Sequence, residues 1–246
     1  MHQAGKRLSR EGTISTQFTC MNRQVGSFDN HRKIDIEDYS LRDANGVEEK
    51  ILIGITGGIG SGKSTVSRYW AAHFKLTRID IDGICAMLLQ KGRPGWQQLK
   101  NHLDGSFFER DGQLDRRLLR LAIFSDHGLR AEVNGLIHPL ALEAMFKDAA
   151  KEEGRVILVD VPLLYEAGWQ EKFTTCVVVY ADYGICCQRI MKRDKISLDE
   201  VNRTVCSQAP LAEKALLANH VINNSGSAVS TMLQVLHLAR FDFVHV

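Results

Sequence analysis

The sequence predicts an α/β fold in which a parallel sheet of five strands carries helices on both faces. Three observations lead to this prediction. Short apolar segments alternate with helical segments after residue 50, a glycine-rich loop joins the first strand to the first helix, and two longer helical stretches interrupt the alternation. Strands that are covered on both faces are apolar throughout, so the alternation indicates a parallel sheet.

Composition sets limits on the class of protein. The chain has 246 residues, of which 44% are apolar and 24% charged, and its net charge is +2. This is typical of a soluble globular protein, and the small net charge does not suggest a nucleic-acid partner. None of the six cysteines forms a C-x-x-C pair, so neither a zinc site nor an oxidising compartment is expected.

Residues 1–49 precede the alternating elements and show neither helical nor strand periodicity. We expect a polar, disordered extension, with a transit peptide, an overlong gene start or a tag as alternatives. No stretch approaches the ~20 apolar residues of a membrane span, and the N-terminus lacks the apolar core of a secretory signal. The expected location is therefore the cytoplasm, with no membrane partner.

The candidate strands are short and mostly apolar. In order they are Ile51–Thr56, Leu76–Ile81, Val156–Val161, Cys176–Ala181 and His220–Asn223. A ligand of such a sheet is expected at the carboxyl ends of the strands.

The first strand leads into GGIGSGKST, residues 57–65, which contains the pattern G-x-x-x-x-G-K-S/T of a phosphate-binding loop. Glycines allow the backbone to curl around a phosphate chain, and Lys63 adds a positive charge for the β and γ phosphates. Ser64 offers a hydroxyl to Mg²⁺. A glycine-rich turn is the alternative, but a turn does not need this lysine and serine. The residues expected to bind the phosphates are Gly58, Ile59, Gly60, Ser61, Gly62, Lys63 and Ser64.

The second strand ends with two acidic residues, Asp80 and Asp82. We expect this strand to lie beside the strand that carries the loop, so that an acid here reaches an acceptor hydroxyl. A carboxylate that accepts the hydroxyl proton is what a small-molecule kinase needs. Either residue could instead cap the next helix. We favour Asp82 as the base and expect Asp80 to be partly structural.

Residues 92–154 and 183–218 form the two helical stretches, which are expected to hold a substrate and to close over it. In the first, Pro139 is suited to the first turn of a helix, and no chemistry is assigned to His138. In the second, Ser197 and Glu200 predict a capping box. Arg189 and Arg193 share a helical face, where they either stabilise a transferring phosphoryl group or face solvent.

The third strand, VILVD, places Asp160 at its end after four apolar residues. This is the Walker B pattern, whose carboxylate holds Mg²⁺ directly or through water. Many strands end with an aspartate at a turn, but a preceding phosphate loop favours the metal-linked interpretation. Together these elements predict a P-loop NTPase three-layer sandwich with a helical substrate subdomain and a lid.

At this point the sequence resembles the dephospho-CoA kinase family over residues 51 to about 240. The matching segments are ITGGIGSGKSTV, IDIDGI, LDRRLLRLAIF, LIHPL, VPLLYE, QRIMKRD, SQ and VINNSG. The resemblance implies transfer of the ATP γ-phosphate to the ribose 3′-hydroxyl of dephospho-CoA, with ATP and Mg²⁺ as cofactors. It supports Asp82 as the acid near that hydroxyl and Lys63, Ser64 and Thr65 at the ATP phosphates. It places Arg189 and Arg193 in the lid and Asn224 near the nucleotide base. We therefore expect Asp82, Lys63 and Arg189 to be catalytic, Arg193 and Asn224 to bind ATP, and Ser64 and Asp160 to bind the metal.

The family plan also implies boundaries: a kinase domain at 50–246 with a core at 50–91, 155–182 and 219–246, a helical CoA subdomain at 92–154 and a lid at 183–218. A monomer or a small homo-oligomer is expected. Cys186 and Asn219-His220 depart from the family pattern. Another kinase of the nucleoside-monophosphate type is the alternative, whereas a GTP-binding switch is disfavoured because N-K-x-D is absent.

Overall fold

The computed structural model describes residues 50–206 and 208–240. The extension expected at residues 1–49 lies outside the described residues, as does Ser207 of the S-Q segment.

The described residues contain a five-stranded, entirely parallel sheet, which confirms the predicted fold class. Each strand begins and ends within one residue of its predicted bounds. The strands are β1 Ile51–Gly57, β2 Thr77–Asp80, β3 Val156–Asp160, β4 Thr175–Tyr180 and β5 His220–Asn223.

The order of the strands is β2-β3-β1-β4-β5. The expectation that the second strand lies beside the loop-bearing strand is therefore wrong, because β3 pairs with both β1 and β2. Asp80 pairs in register with Asp160, which in turn pairs with Ile55 of β1. Asp80 at the end of β2 thus lies two strands away from the strand that carries the phosphate loop, and Asp160 of β3 lies between the two strands.

Helices cover both faces of the sheet, as the apolar strands require. On one face, Leu52 and Ile157 pack with residues of the second and fifth helices, including Met145. On the other face, Ile55 and Val177 pack with Trp70 of the first helix, and each of these side chains is fully buried. Burial of a large apolar side chain stabilises the fold by about 1.5–3 kcal/mol, so these two clusters fix the three layers.

Most α-helices in the described residues have a capping side chain or a proline at their N-terminus. They are α1 Lys63–Phe74, α2 Ile81–Leu88, α3 Pro94–His102, α4 Arg116–Ser125, α5 His127–Lys151, α6 Tyr183–Asp194, α7 Leu198–Val205, α8 Leu211–Leu217 and α9 Ala228–Leu238. None of these helices combines the length and the apolar character that crossing a membrane would need.

The stretch at residues 92–154 contains α3, α4 and α5, which share a small core that includes Leu99, Leu119 and Ile137. The prediction that Pro139 starts a helix is wrong, because Pro139 lies inside α5. The helix begins instead after Asp126, whose carboxylate accepts hydrogen bonds from the Gly128 and Leu129 amides. The buried face of α5 continues on both sides of the proline and outweighs the hydrogen bond that a proline cannot donate.

The stretch at residues 183–218 contains α6, α7 and α8. The predicted capping box is confirmed: the Ser197 hydroxyl accepts from the Glu200 amide, and the Glu200 carboxylate accepts from the Ser197 amide. The boundaries of the core, the CoA subdomain and the lid stay a prediction.

Candidate active site

The phosphate loop follows β1 and adopts a conformation that depends on its glycines. Gly60 and Gly62 have positive φ angles of 81° and 90°, which other residues rarely adopt. A Cβ on Gly57 would lie 2.7 Å from the Val179 carbonyl oxygen of the neighbouring strand. Gly62 caps α1, so the amides of the first turn, which have no partner inside the helix, face the loop.

Two predicted site residues, Arg189 and Asn224, bind the backbone of this loop at the Ser61 carbonyl. Asn224, which follows β5, donates from its side-chain amide to the Ser61 carbonyl at 2.7 Å. The Arg189 guanidinium donates to the Ser61 carbonyl at 3.2 Å and to the Asn224 carbonyl at 2.9 Å. Thr231 of α9 donates to the Asn224 side-chain oxygen at 2.9 Å, which orients its amide. The structure therefore brings Arg189 and Asn224 together at the loop backbone.

Gln208 and Leu211 of α8 also contact the loop, and the sequence analysis placed both in the lid stretch without assigning either a contact to the loop. The Gln208 side-chain oxygen accepts a hydrogen bond from the Ile59 amide at 3.2 Å. A Cβ on Gly58 would lie 3.4 Å from the Leu211 side chain, which is ordinary van der Waals contact. The only signal for Gln208 was its place in the S-Q segment of the family pattern.

Lys63 and Asp160 form an ion pair where the carboxyl end of β3 meets the start of α1. The side chain of Asp160 is 1% exposed. Its other oxygen accepts from Arg78 at 2.7 Å and from the Ser67 hydroxyl at 2.8 Å. Arg78, on β2, also donates to the Ser67 hydroxyl at 3.1 Å and was missed because a lone arginine in a strand carries no motif.

The surroundings of Lys63 have opposing effects on its pKa. Burial lowers the pKa of Lys63 to about 8, whereas Asp82 and Asp80 raise it and Arg78 lowers it further. The direct pair with Asp160 favours the ammonium form, so Lys63 carries its charge at neutral pH.

The metal prediction rests on Ser64 and Asp160. Among the described residues, no group of three or more His, Cys, Asp or Glu side chains is arranged to hold a metal ion. The Ser64 hydroxyl is at the exposed start of α1, and Mg²⁺ commonly keeps several waters and takes its other ligands from substrate phosphates. Ser64 therefore fits the ion. Both Asp160 oxygens already contact cations, so Asp160 fits as a partner of a metal-bound water.

Asp80 and Asp82 have different surroundings. Asp80 accepts hydrogen bonds from the Asp82 amide at 3.1 Å and the Gly83 amide at 3.4 Å, so it caps α2. Asp82 lies in the first turn of α2 with its side chain exposed. Partial desolvation nevertheless raises the pKa of Asp82, and Asp80 adds to this, while Lys63 and Arg120 oppose it. The turn of α2 thus brings Asp82 within electrostatic range of Lys63, although β2 is not beside β1.

Two other residues from the sequence analysis lie apart from the loop contacts. Arg193 makes a bidentate pair with Asp194, with both distances at 2.7 Å, and its role at ATP stays a prediction. His138 packs edge-on against Trp169 with ring centroids 5.2 Å apart. Burial lowers the pKa of His138 to about 4, so the ring is uncharged at neutral pH.

Comparisons with known proteins show the family to which the chain belongs. A family model described as dephospho-CoA kinase matches residues 51–230. A dephospho-CoA kinase of Bacillus licheniformis is 32% identical over 191 residues, which cover 76% of this chain and 94% of that protein. A dephospho-CoA kinase domain-containing protein of Danio rerio is 36% identical over 191 residues, covering 76% and 83%.

Solved structures give the same fold. The crystal structure of TT1252 from Thermus thermophilus has a TM-score of 0.67 at 28% identity, and the match covers 79% of this chain and 99% of that one. A dephospho-CoA kinase from Campylobacter jejuni has a TM-score of 0.55 at 20% identity, covering 77% and 95%, and supports the fold alone.

Proposed function

This chain belongs to the dephospho-CoA kinase family, and we propose that it transfers the γ-phosphate of ATP to the ribose 3′-hydroxyl of dephospho-CoA. The products are coenzyme A and ADP, so the reaction is the final step of CoA synthesis. The observation that carries the proposal is the geometry at the carboxyl ends of the strands. Lys63 of the phosphate loop pairs with Asp160, which lies in register with Asp80 on β2. Asp82 follows in the first turn of α2 and is within electrostatic range of Lys63.

The phosphate loop holds the nucleotide in this proposal. Backbone amides at the start of α1 and the Lys63 ammonium face the β and γ phosphates, where negative charge develops during transfer. Ser64 would hold Mg²⁺ together with ATP, and the ion would supply positive charge that neutralises the same phosphates. Arg189 and Asn224 hold the carbonyl of Ser61, which keeps the loop curved before the nucleotide arrives.

Asp82 acts as the base. The acceptor hydroxyl oxygen forms a bond to the γ-phosphorus, the bond from that phosphorus to the ADP oxygen breaks, and the hydroxyl proton passes to the Asp82 carboxylate. Because partial burial raises the pKa of Asp82, the carboxylate is a stronger base than a fully solvated aspartate. Asp80, as the cap of α2, fixes the turn on which Asp82 lies.

The helices at residues 92–154 are proposed to bind the acceptor. Arg120 of α4 lowers the pKa of Asp82 and so lies within electrostatic range of the base. Arg116 is four residues earlier in α4, so the two arginines form a basic face of this helix. The diphosphate of dephospho-CoA is anionic and suits such a face. Arg193 would have to leave Asp194 before it contacted ATP.

An acceptor panel tests the proposal. Purified protein is incubated with Mg-ATP and either dephospho-CoA, AMP or CMP, and ADP release is measured. Release with dephospho-CoA, but not with the nucleotides, is expected. Equal rates with AMP or CMP would favour the nucleoside-monophosphate type of kinase instead.

A further inference from the structure

Lys214 of α8 is a lysine in the interior. Its side chain is 1% exposed, and its ammonium lies 2.5 Å from the Glu166 carboxylate, whose side chain is 23% exposed. Transfer of an ammonium from water into a protein interior costs several kcal/mol, and one ion pair does not generally repay that cost. An apolar side chain of the same length would fill the space without the cost of burying a charge. The fold thus carries a charge here whose benefit to stability is small.

The ion pair connects two segments that are distant in the chain. Glu166 lies in the turn after β3, and the same carboxylate oxygen that pairs with Lys214 also accepts a hydrogen bond from the Ala209 amide at 3.2 Å. The Lys214 amide in turn donates to the Pro210 carbonyl at 3.1 Å. Glu166 therefore fixes both the beginning of α8 and the residues just before it.

The residues on either side of Ala209 and Pro210 contact the phosphate loop. Gln208 accepts from the Ile59 amide, and Leu211 packs at Gly58. These contacts are made to Gly58 and Ile59, whereas Arg189 and Asn224 bind the carbonyl of Ser61. A glycine-rich loop loses much backbone entropy when it is ordered, so a contact that orders it beforehand favours ligand binding.

We propose that Lys214 is a positioning residue for nucleotide binding. Its ion pair with Glu166 holds Gln208 and Leu211 against the phosphate loop, and Gln208 fixes the direction of the Ile59 amide. The inference rests on the proposed function only in taking this loop as the ATP site. It does not depend on which acceptor is phosphorylated.

Equilibrium binding of Mg-ATP to the full chain, without any acceptor, tests this role. Lys214→Met is expected to weaken ATP binding by about tenfold, which corresponds to about 1.4 kcal/mol. Gln208→Ala is expected to weaken it to a similar degree. The variant that combines Lys214→Met and Gln208→Ala should lose no more ATP affinity than the weaker-binding single variant, because Lys214 acts through Gln208. Lys151→Met, at an exposed pair with Asp148, is the matched control and should bind ATP like the wild type.

A variant that keeps the interior neutral separates positioning from folding. Lys214→Met combined with Glu166→Gln removes both charges, so it should unfold at nearly the wild-type denaturant concentration and still bind ATP weakly. Wild-type ATP affinity in the variant that combines Lys214→Met and Glu166→Gln would overturn the proposal. Additive losses of ATP affinity from Lys214→Met and Gln208→Ala would overturn it as well. In steady state, the KM for ATP should rise more than the KM for the acceptor. If the wild type binds ATP but does not phosphorylate dephospho-CoA, only the acceptor assignment fails.

Discussion

Replacing Asp160 with asparagine should destabilise the protein before any nucleotide or metal is added. The carboxylate is 1% exposed and contacts Lys63, Arg78 and Ser67, so the substitution leaves two cations without their buried anion. Loss of one partner from a buried pair costs about 3–5 kcal/mol. Lys63 and Arg78 keep side-chain exposures of 12% and 22%, and partial hydration places the expected loss at the lower end, about 3 kcal/mol.

Urea unfolding of Asp160→Asn and of the wild type, both without ATP and Mg²⁺, measures this difference. The corresponding fall in melting temperature is about 6–12 °C for a domain of this size. Asp148→Asn, at an exposed ion pair, is the control and should change the free energy of unfolding by less than about 1 kcal/mol. Unaltered stability of Asp160→Asn together with lost activity would refute the reasoning, because Asp160 would then act only at the metal.

Three further predictions concern the loop and the base. Asp82→Asn should keep ATP affinity and lower single-turnover phosphoryl transfer by about 10²–10⁴-fold, and retained turnover would remove Asp82 from the mechanism. Protonation of Asp82 should remove the base, so kcat/KM should fall as the pH is lowered. Because partial burial raises the pKa of Asp82, the midpoint of this fall should lie above about 3.9, the pKa of a free aspartate. Asp82→Asn should not show this fall. Gly62→Ala should weaken ATP binding by at least about tenfold, since φ is 90° there and a Cβ would collide with the Asn224 amide. Gly135→Ala, in open space on α5, is its control, and equal affinities of the two variants would contradict this account.

Most of the fold could be predicted because its signals are local. Runs of apolar, β-branched residues located all five strands, and the motif located the phosphate loop. The order of the strands carries no such signal: β3 lies between β1 and β2 because of tertiary packing, and the expected adjacency was wrong. Pro139 misled the prediction for a similar reason, because burial along α5 outweighs the local preference of a proline.

The site was predictable where a motif carries the chemistry and not where a tertiary contact does. Lys63 and Asp82 came from patterns, and the structure brings them within electrostatic range of each other. Arg78, Gln208 and Lys214 act through contacts with Asp160, Ile59 and Glu166, which are distant in the chain, so spacing along the sequence does not reveal them.

The site of phosphorylation on the acceptor tests the central claim most directly. The protein is given ATP labelled at its γ-phosphate with a mixture of dephospho-CoA, AMP and CMP, and in a second reaction with a dephospho-CoA analogue that lacks the ribose 3′-hydroxyl. We expect the label on the 3′-oxygen of coenzyme A in the first reaction and on no acceptor in the second. Label on AMP or CMP, or on the analogue, would contradict it.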